Sequence, residues 1–185
     1  HNADLPARTG IGASSSFTVG LLHCLYSLKG QMVDKPRLYQ DAIHLEQKVL
    51  NENVGSQDQI SVACGGLNYI KFDTTDAVSI HPLIIPQERL MLFQSHLLLF
   101  YTGVSRTASS IAAEQIKNIP GKRQELSAML QLVQEGVSVL NSHHPISEFG
   151  KLLHESWKLK RSLSSKITSS LIDEIYDVAL ASGAI

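Results

Sequence analysis

Residues 6–16 read "PARTGIGASSS" and run, with no turn signal between, into the apolar helical pattern "FTVGLLHCLYSLKG". Gly10, Gly12 and Ala13 leave the backbone free to turn sharply and to approach a ligand closely. Ser14, Ser15 and Ser16 add three hydroxyls directly before the helical pattern. The first N–H groups of a helix have no internal partners and carry the positive end of its dipole, so they form an anion site. No "GKS" or "GKT" follows, so the loop is not a Walker A motif and offers no lysine to a nucleotide phosphate. Two readings stand at this point: a structural loop, or a phosphate cradle built from amides, hydroxyls and a metal ion.

Phosphoryl transfer also needs carboxylates, one to hold a magnesium ion and one to orient or deprotonate the acceptor hydroxyl. Glu46 in "HLEQ" and Asp58 in "NVGSQDQ" are the candidates. Each taken alone reads as a solvated surface charge; the order loop, glutamate, glycine-flanked aspartate gives them weight together. Farther on, Gly103 and Arg106 lie in "YTGVSRTAS", where the guanidinium could grip a phosphate with two parallel hydrogen bonds or pair with a surface carboxylate. Thr102, Ser105 and Thr107 could assist or cap. His143 and His144, before Pro145, read as surface residues of a polar turn.

The elements that must position these groups follow from periodicity. Asp34 and Pro36 start a predicted helix over residues 35–51, with Leu38, Ala42, Leu45 and Val49 toward the core and Glu46 at the edge of that stripe. A loop, "NENVGSQDQ", then carries Asp58. Strands are expected at "GGLNYIKFD", "AVSIHPLII" and "HLLLFYTG", bounded by turn residues. From Ser105 the pattern is helical: Ile111, Ala112 and Ile116; then Leu126, Met129, Leu130, Val133, Val137 and Leu140; then Phe149, Leu152, Leu153 and Trp157; then Leu171, Ile172, Ile175 and Val178. The change of character near residues 82–90 marks a domain boundary.

With 43% hydrophobic and 18% charged residues in 185, the chain reads as globular, with room for one good core or two small ones. A formal net charge of -1 gives no bulk attraction to nucleic acid or a membrane surface. Cys24 and Cys64 stand on separate apolar segments without a CxxC pattern, and read as buried free thiols. No signal-peptide pattern opens the sequence, and apolar runs such as "HLLLFYTGV" are too short to span a bilayer, so a cytoplasmic location is expected.

On "PARTGIGASSS", "HLEQ" and "NVGSQDQ", the sequence resembles the GHMP kinases, whose phosphate loop runs PxxxGLGSSxx. Within that family, "DLPARTGIGASSSFTVGLLHCLYSLKG", "AIHLEQKVLNENVGSQDQ" and "YTGVSRTAS" are most similar to members that act on a heptose 7-phosphate. The resemblance implies an α+β fold: residues 1–82 as part of a ribosomal S5 domain 2-like ATP-binding domain, and residues 83–185 as part of a helix-rich C-terminal domain. It implies that Gly10, Gly12, Ala13 and Ser14, Ser15 and Ser16 wrap the ATP phosphates, that Ser14 and Glu46 bind Mg2+, and that Asp58 acts on the sugar hydroxyl. Gly103 and Arg106 would meet the substrate. Ala13 departs from the usual first serine, which removes a hydroxyl and keeps the amide.

The implied reaction moves the ATP γ-phosphoryl group to the anomeric hydroxyl of the heptose 7-phosphate. The implied partners are ATP and a small sugar phosphate, with no nucleic acid or membrane, and a homodimer stays open. A kinase for another sugar, fucokinase-like or galactokinase-like, and a catalytically silent nucleotide- or sugar-binding regulator are the alternatives. A Ser/His hydrolase built on Ser14 to Ser16 is a third alternative, against which the lack of a GxSxG elbow argues. The family's N-terminal strand motif is expected before His1 and its second glycine-rich motif after Ile185.

Overall fold

A computed structural model of the chain describes residues 10–75, 77–103 and 108–185, the side chains of residues 108–111 excepted. Helix α1 spans Ala13–Leu28 and so begins before the apolar pattern does, which puts all three serines in its first turn. It ends at Gly30, whose φ of 65° lets the chain leave the helix. Helix α2, Lys35–His44, starts as expected: Asp34 is the cap, its Oδ1 accepting from the Arg37 amide at 2.9 Å, and Pro36 sits in the first turn.

The continuation of α2 differs from the expectation. Residues Leu45–Val49 form a π-helical turn, closed by the Leu50 amide on the Leu45 carbonyl at 2.9 Å. A π turn inserts one residue into the helical repeat and rotates everything after it. Val49, expected in the core, is therefore 57% exposed; Glu46, expected at the edge, is 1% exposed because it lies in ordinary helical phase with the buried Tyr39 and Ala42. Asp58 is also not in a loop: it lies in the first turn of helix α3, Gln57–Cys64, which stops at Gly65 with φ 65°. The Lys35 ammonium donates to the Cys64 carbonyl at 2.8 Å and ties the start of α2 to the end of α3.

Val19, Leu38 and Ala42, with Leu22, Val33 and Ala63 against them, form the core that joins α1, α2 and α3. Ile60, on the inner face of α3, is fully buried. Strands β1, Asn68–Phe72, and β2, Val78–Pro82, pair antiparallel with Ile70 opposite Ile80. The first strand stands where expected, and the second ends at Pro82, short of the apolar "LII". Between them Asp73 Oδ1 accepts from the amides of Thr75 and Ala77 and shapes the turn.

The described residues fall into two compact units, one within His1–Pro82 and Gly103–Ala112, the other within Leu83–Thr102 and Ala113–Ile185. The elements of the rest of the chain are α4 (Gln87–Ser95), α5 (Ala108–Asn118), α6 (Arg123–Leu140), α7 (Ser147–Leu163) and α8 (Ser170–Ala181). Phe93, Leu140 and Ile146 make the core of the second unit, with Leu83 and Phe149 packed on it. Phe93 meets Phe149 edge to face, centroids 4.9 Å apart.

Helix α4 was not expected from the sequence. Its short apolar run lies just after Pro86, whose fixed φ suits the position before a helix. The strand expected at "HLLLFYTG" is absent among the described residues: β1 and β2 pair only with each other, and Leu98 and Leu99 stand 82% and 86% exposed. Several helical stripes are also less covered than periodicity suggests. Ile116, Leu130, Val133, Leu153, Leu171, Ile175 and Val178 are exposed, because a stripe states which face can be buried and not that this stretch of chain supplies the cover. Cys24 is exposed and Cys64 only partly buried, against the expectation of two buried thiols. Among the described residues no helix is long and apolar enough to cross a membrane.

Candidate active site

The three-helix core of the first unit brings the start of α1, the π turn after α2 and the start of α3 to one place. Gly10 and Gly12 both turn in the left-handed region, with φ 79° and 71°. Gly12 stands at the helix N-cap with no side-chain partner, and the Ser16 amide makes the bond to its carbonyl at 2.9 Å. The amides of Ala13, Ser14 and Ser15 thus precede the helical ladder, and no acidic side chain occupies this first turn.

Asp58 lies directly against Gly12: a Cβ built on the glycine would come within 3.2 Å of Asp58 Oδ2 and 3.3 Å of its Cγ. Asp58 is itself exposed, so its carboxylate borders the loop from the solvent side. Its approach is set by Gln47 on the π turn, whose Nε2 donates to the Val54 carbonyl at 2.9 Å and to Ser56 Oγ at 3.1 Å. That clamp fixes the connection into α3, after Asn51 has turned through a left-handed φ of 55°.

Beneath the loop sits a buried polar cluster. Ser15 Oγ donates to Glu46 Oε2 at 3.1 Å, and Gln59 Nε2 donates to the same oxygen. Ser15, Glu46 and Gln59 are 4%, 1% and 0% exposed. A carboxylate taken out of water needs its oxygens satisfied, and here both donors converge on one of them. Glu46 Oε1 and Gln59 Oε1 are buried with no hydrogen-bond partner. Among the described residues no three His, Cys, Asp or Glu side chains gather into a metal cage.

Of the residues singled out in the sequence, Gly12 meets Asp58 and Ser15 meets Glu46. Ser14 and Ser16 are exposed in the same helical turn, so the serine in contact with Glu46 is Ser15. Gly103 is exposed and turns with φ 71°. Arg106, with Ser105 and Thr107, lies outside the described residues. His143 and His144 are exposed in their turn, as expected. Gln59 was missed. Its signal was the alternation in "SQDQ": neighbours on a helix point about 100° apart, so if Asp58 faces outward the next residue turns inward.

Residues 1–66 match a family described as GHMP kinases N terminal domain. Over 98% of its length the chain is 26% identical to a D-glycero-alpha-D-manno-heptose 7-phosphate kinase of Campylobacter jejuni, covering 54% of that protein. It is 28% identical over 95% of its length to an L-fucokinase/L-fucose-1-P guanylyltransferase of Bacteroides fragilis, covering 19% of it. A crystal structure of a D-glycero-D-manno-heptose 1-phosphate kinase from Bacteriodes thetaiotaomicron aligns with a TM-score of 0.62 at 24% identity, covering 98% of this chain and 50% of that one. The chain thus spans about half the length of these two heptose kinases.

Proposed function

From residues 1–66, which match the GHMP kinases N terminal domain, we propose that the chain is part of an ATP-dependent sugar kinase whose acceptor is the anomeric hydroxyl of a D-glycero-D-manno-heptose 7-phosphate. The observation that carries this reading is the placement of the Asp58 carboxylate against Gly12, at the uncapped start of α1. A phosphate held by the amides of Ala13, Ser14 and Ser15 has its terminal oxygens next to a carboxylate that can receive or orient a hydroxyl. Positioning of this kind, with fixed dipoles aimed at the charge, supplies most of the rate in phosphoryl transfer.

The residues present also fit a divalent cation. Glu46 offers a buried carboxylate oxygen without a protein donor, and the exposed hydroxyl of Ser14 stands in the same helical turn as its partner Ser15. When bound with nucleotide, Mg2+ would offset phosphate charge, which the loop cannot do with a lysine. With Glu46 as the one buried carboxylate among the described residues, most of the remaining oxygen ligands would come from phosphate and water. Gly10 and Gly12 let the loop approach the nucleotide, and Ser16 is free to add a hydroxyl. We assign residues 1–82 to the ATP-binding domain and residues 83–185 to the C-terminal domain, each in part, with an S5 domain 2-like arrangement in the former.

Heptose 7-phosphate as acceptor is supported by the heptose 7-phosphate kinase of Campylobacter jejuni among the relatives, and Gly103 and Arg106 are the residues proposed to meet the substrate. The same catalytic elements would serve another sugar, as in the fucokinase-like relative. The test is Mg2+-dependent ATP consumption by the full-length protein against free and phosphorylated heptoses and hexoses, beside Asp58→Asn. Turnover of a heptose 7-phosphate above the other sugars, with ~3 kcal/mol added to the barrier in the variant, supports both acceptor and role. Nucleotide binding without turnover of any sugar would instead indicate a silent regulator.

A further inference from the structure

We propose that Gln59 is a positioning residue: its side-chain amide locks the Glu46 carboxylate so that one oxygen is presented bare to a divalent cation. The inference rests on the kinase reading above and deepens it at a residue outside the glycine loop.

Three observations carry it. Gln59 is fully buried, on the first turn of α3 beside Asp58, and its Nε2 donates to Glu46 Oε2. Ser15 donates to that same oxygen from α1, so the carboxylate is held from two different helices on one side only. Glu46 Oε1 is left buried without any partner. A glutamate side chain has three torsions and the last is broad, so a lone serine hydroxyl would leave the carboxylate plane free to swing. The flat amide of Gln59 removes that freedom.

The orientation of the amide is determined by its surroundings. Turning it over would set the Gln59 carbonyl oxygen against Glu46 Oε2, two acceptors face to face. In the orientation observed, Gln59 Oε1 is the second buried acceptor without a donor. Two hydrogen-bonded neighbours therefore each keep an unpaired acceptor oxygen. Phosphate oxygens cannot answer that demand, being acceptors themselves. A hard cation with its bound water can, since Mg2+ and Mn2+ take oxygen ligands and retain several waters. Groups that orient a metal ligand through a hydrogen bond tune affinity nearly as the ligands do.

The test uses the full-length protein, with Mn2+ as probe and a non-hydrolysable ATP analogue, followed by electron paramagnetic resonance. Gln59→Met keeps the volume and removes the donor; Glu46→Gln serves as reference. The expected result is Mn2+ affinity lowered by ~10-fold or more in Gln59→Met, with metal-free analogue binding unchanged and activity recovered at high Mg2+. Parallel losses of metal-free binding and metal affinity would mean a merely structural role and overturn the inference. Wild-type Mn2+ affinity in Gln59→Met with loss in Glu46→Gln overturns it too, while leaving the kinase reading intact. Wild-type affinity in Glu46→Gln removes the metal role of Glu46, and the inference with it. Should Gln59→Met not fold, Gln59→Leu, which also removes the donor, carries the same Mn2+ titration, with affinity lowered against unchanged metal-free analogue binding supporting the inference and wild-type affinity overturning it.

Discussion

Asp58 rests its carboxylate on the bare Cα of Gly12, close enough that a methyl group there would stand 3.2 Å from Oδ2. The contact joins the start of α1 to the start of α3, and no side chain of ordinary size could occupy the glycine's place without moving the aspartate. Gly12 is constrained a second time by its φ of 71°, which L-residues other than Gly, Asn and Asp rarely adopt.

Gly10 separates these two constraints. It shares the left-handed backbone, with φ 79°, but an added Cβ would meet nothing within 4 Å. Gly10→Ala is expected to cost ~1–2 kcal/mol of stability from backbone strain alone. Gly12→Ala should cost more and should also lower kcat, because it displaces Asp58. Urea unfolding of both variants, read beside steady-state kinetics, checks the difference. Equal effects on both quantities would mean that the Asp58 contact carries no function.

Arg106 is proposed to meet the phosphate of the sugar. Arg106→Ala should then raise KM for the phosphorylated sugar at least tenfold, the equivalent of ~1.4 kcal/mol, with KM for ATP nearly unchanged. Arg106→Lys keeps the charge and loses the two-pronged geometry, so only partial recovery is expected. A KM increase shared equally by both substrates would assign the arginine to the nucleotide instead.

Ile60 has no exposed surface, on the face of α3 opposite the carboxylate of Asp58 in sequence phase. Ile60→Ala should destabilise the protein by ~2–5 kcal/mol through lost burial and a residual cavity. Because α3 carries both Asp58 and Gln59, activity should fall at temperatures well below the unfolding midpoint. Denaturant unfolding and a temperature series of initial rates test this.

Asp41 predicts a pH dependence. Burial pushes its carboxyl upward, but hydrogen bonds from Tyr26 and Arg37 outweigh this and hold it below the usual carboxylate range. A depressed pKa in the folded state contributes stability that is complete above the unfolded value of about 3.9 and is lost as pH falls through the folded value. Thermal midpoints should therefore drop below about pH 4, and Asp41→Asn should flatten that limb. A variant as acid-sensitive as the wild type would show that other carboxylates govern it.

Much of the local structure was legible along the chain. Asp34 and Pro36 specify the start of α2, and the structure closes that cap with the Arg37 amide. The alternation in "NYIKF" gives β1 its place. The exposed run at Leu98 and Leu99 shows the limit: apolar β-prone residues mark a segment able to pair, while a strand exists only where a ladder partner lies alongside.

The sequence by itself determined the parts whose causes lie within a few residues. These are the two left-handed glycines, the serines at the head of a helix, and the glutamate and aspartate that follow in order. Only the tertiary structure decided which of these touch. Glu46 follows the buried Tyr39 and Ala42 in helical phase into the interior, where Ser15 and not Ser14 reaches it, while the π turn at Leu45–Val49 shifts the phase and turns Val49 out. One inserted residue in a helical repeat leaves no mark on the hydrophobic pattern before it, and its consequence is felt only where α1, α2 and α3 pack. The same packing chose Gln59 over Gln57 to face the carboxylate, since the helix turns one of them inward and the other toward water.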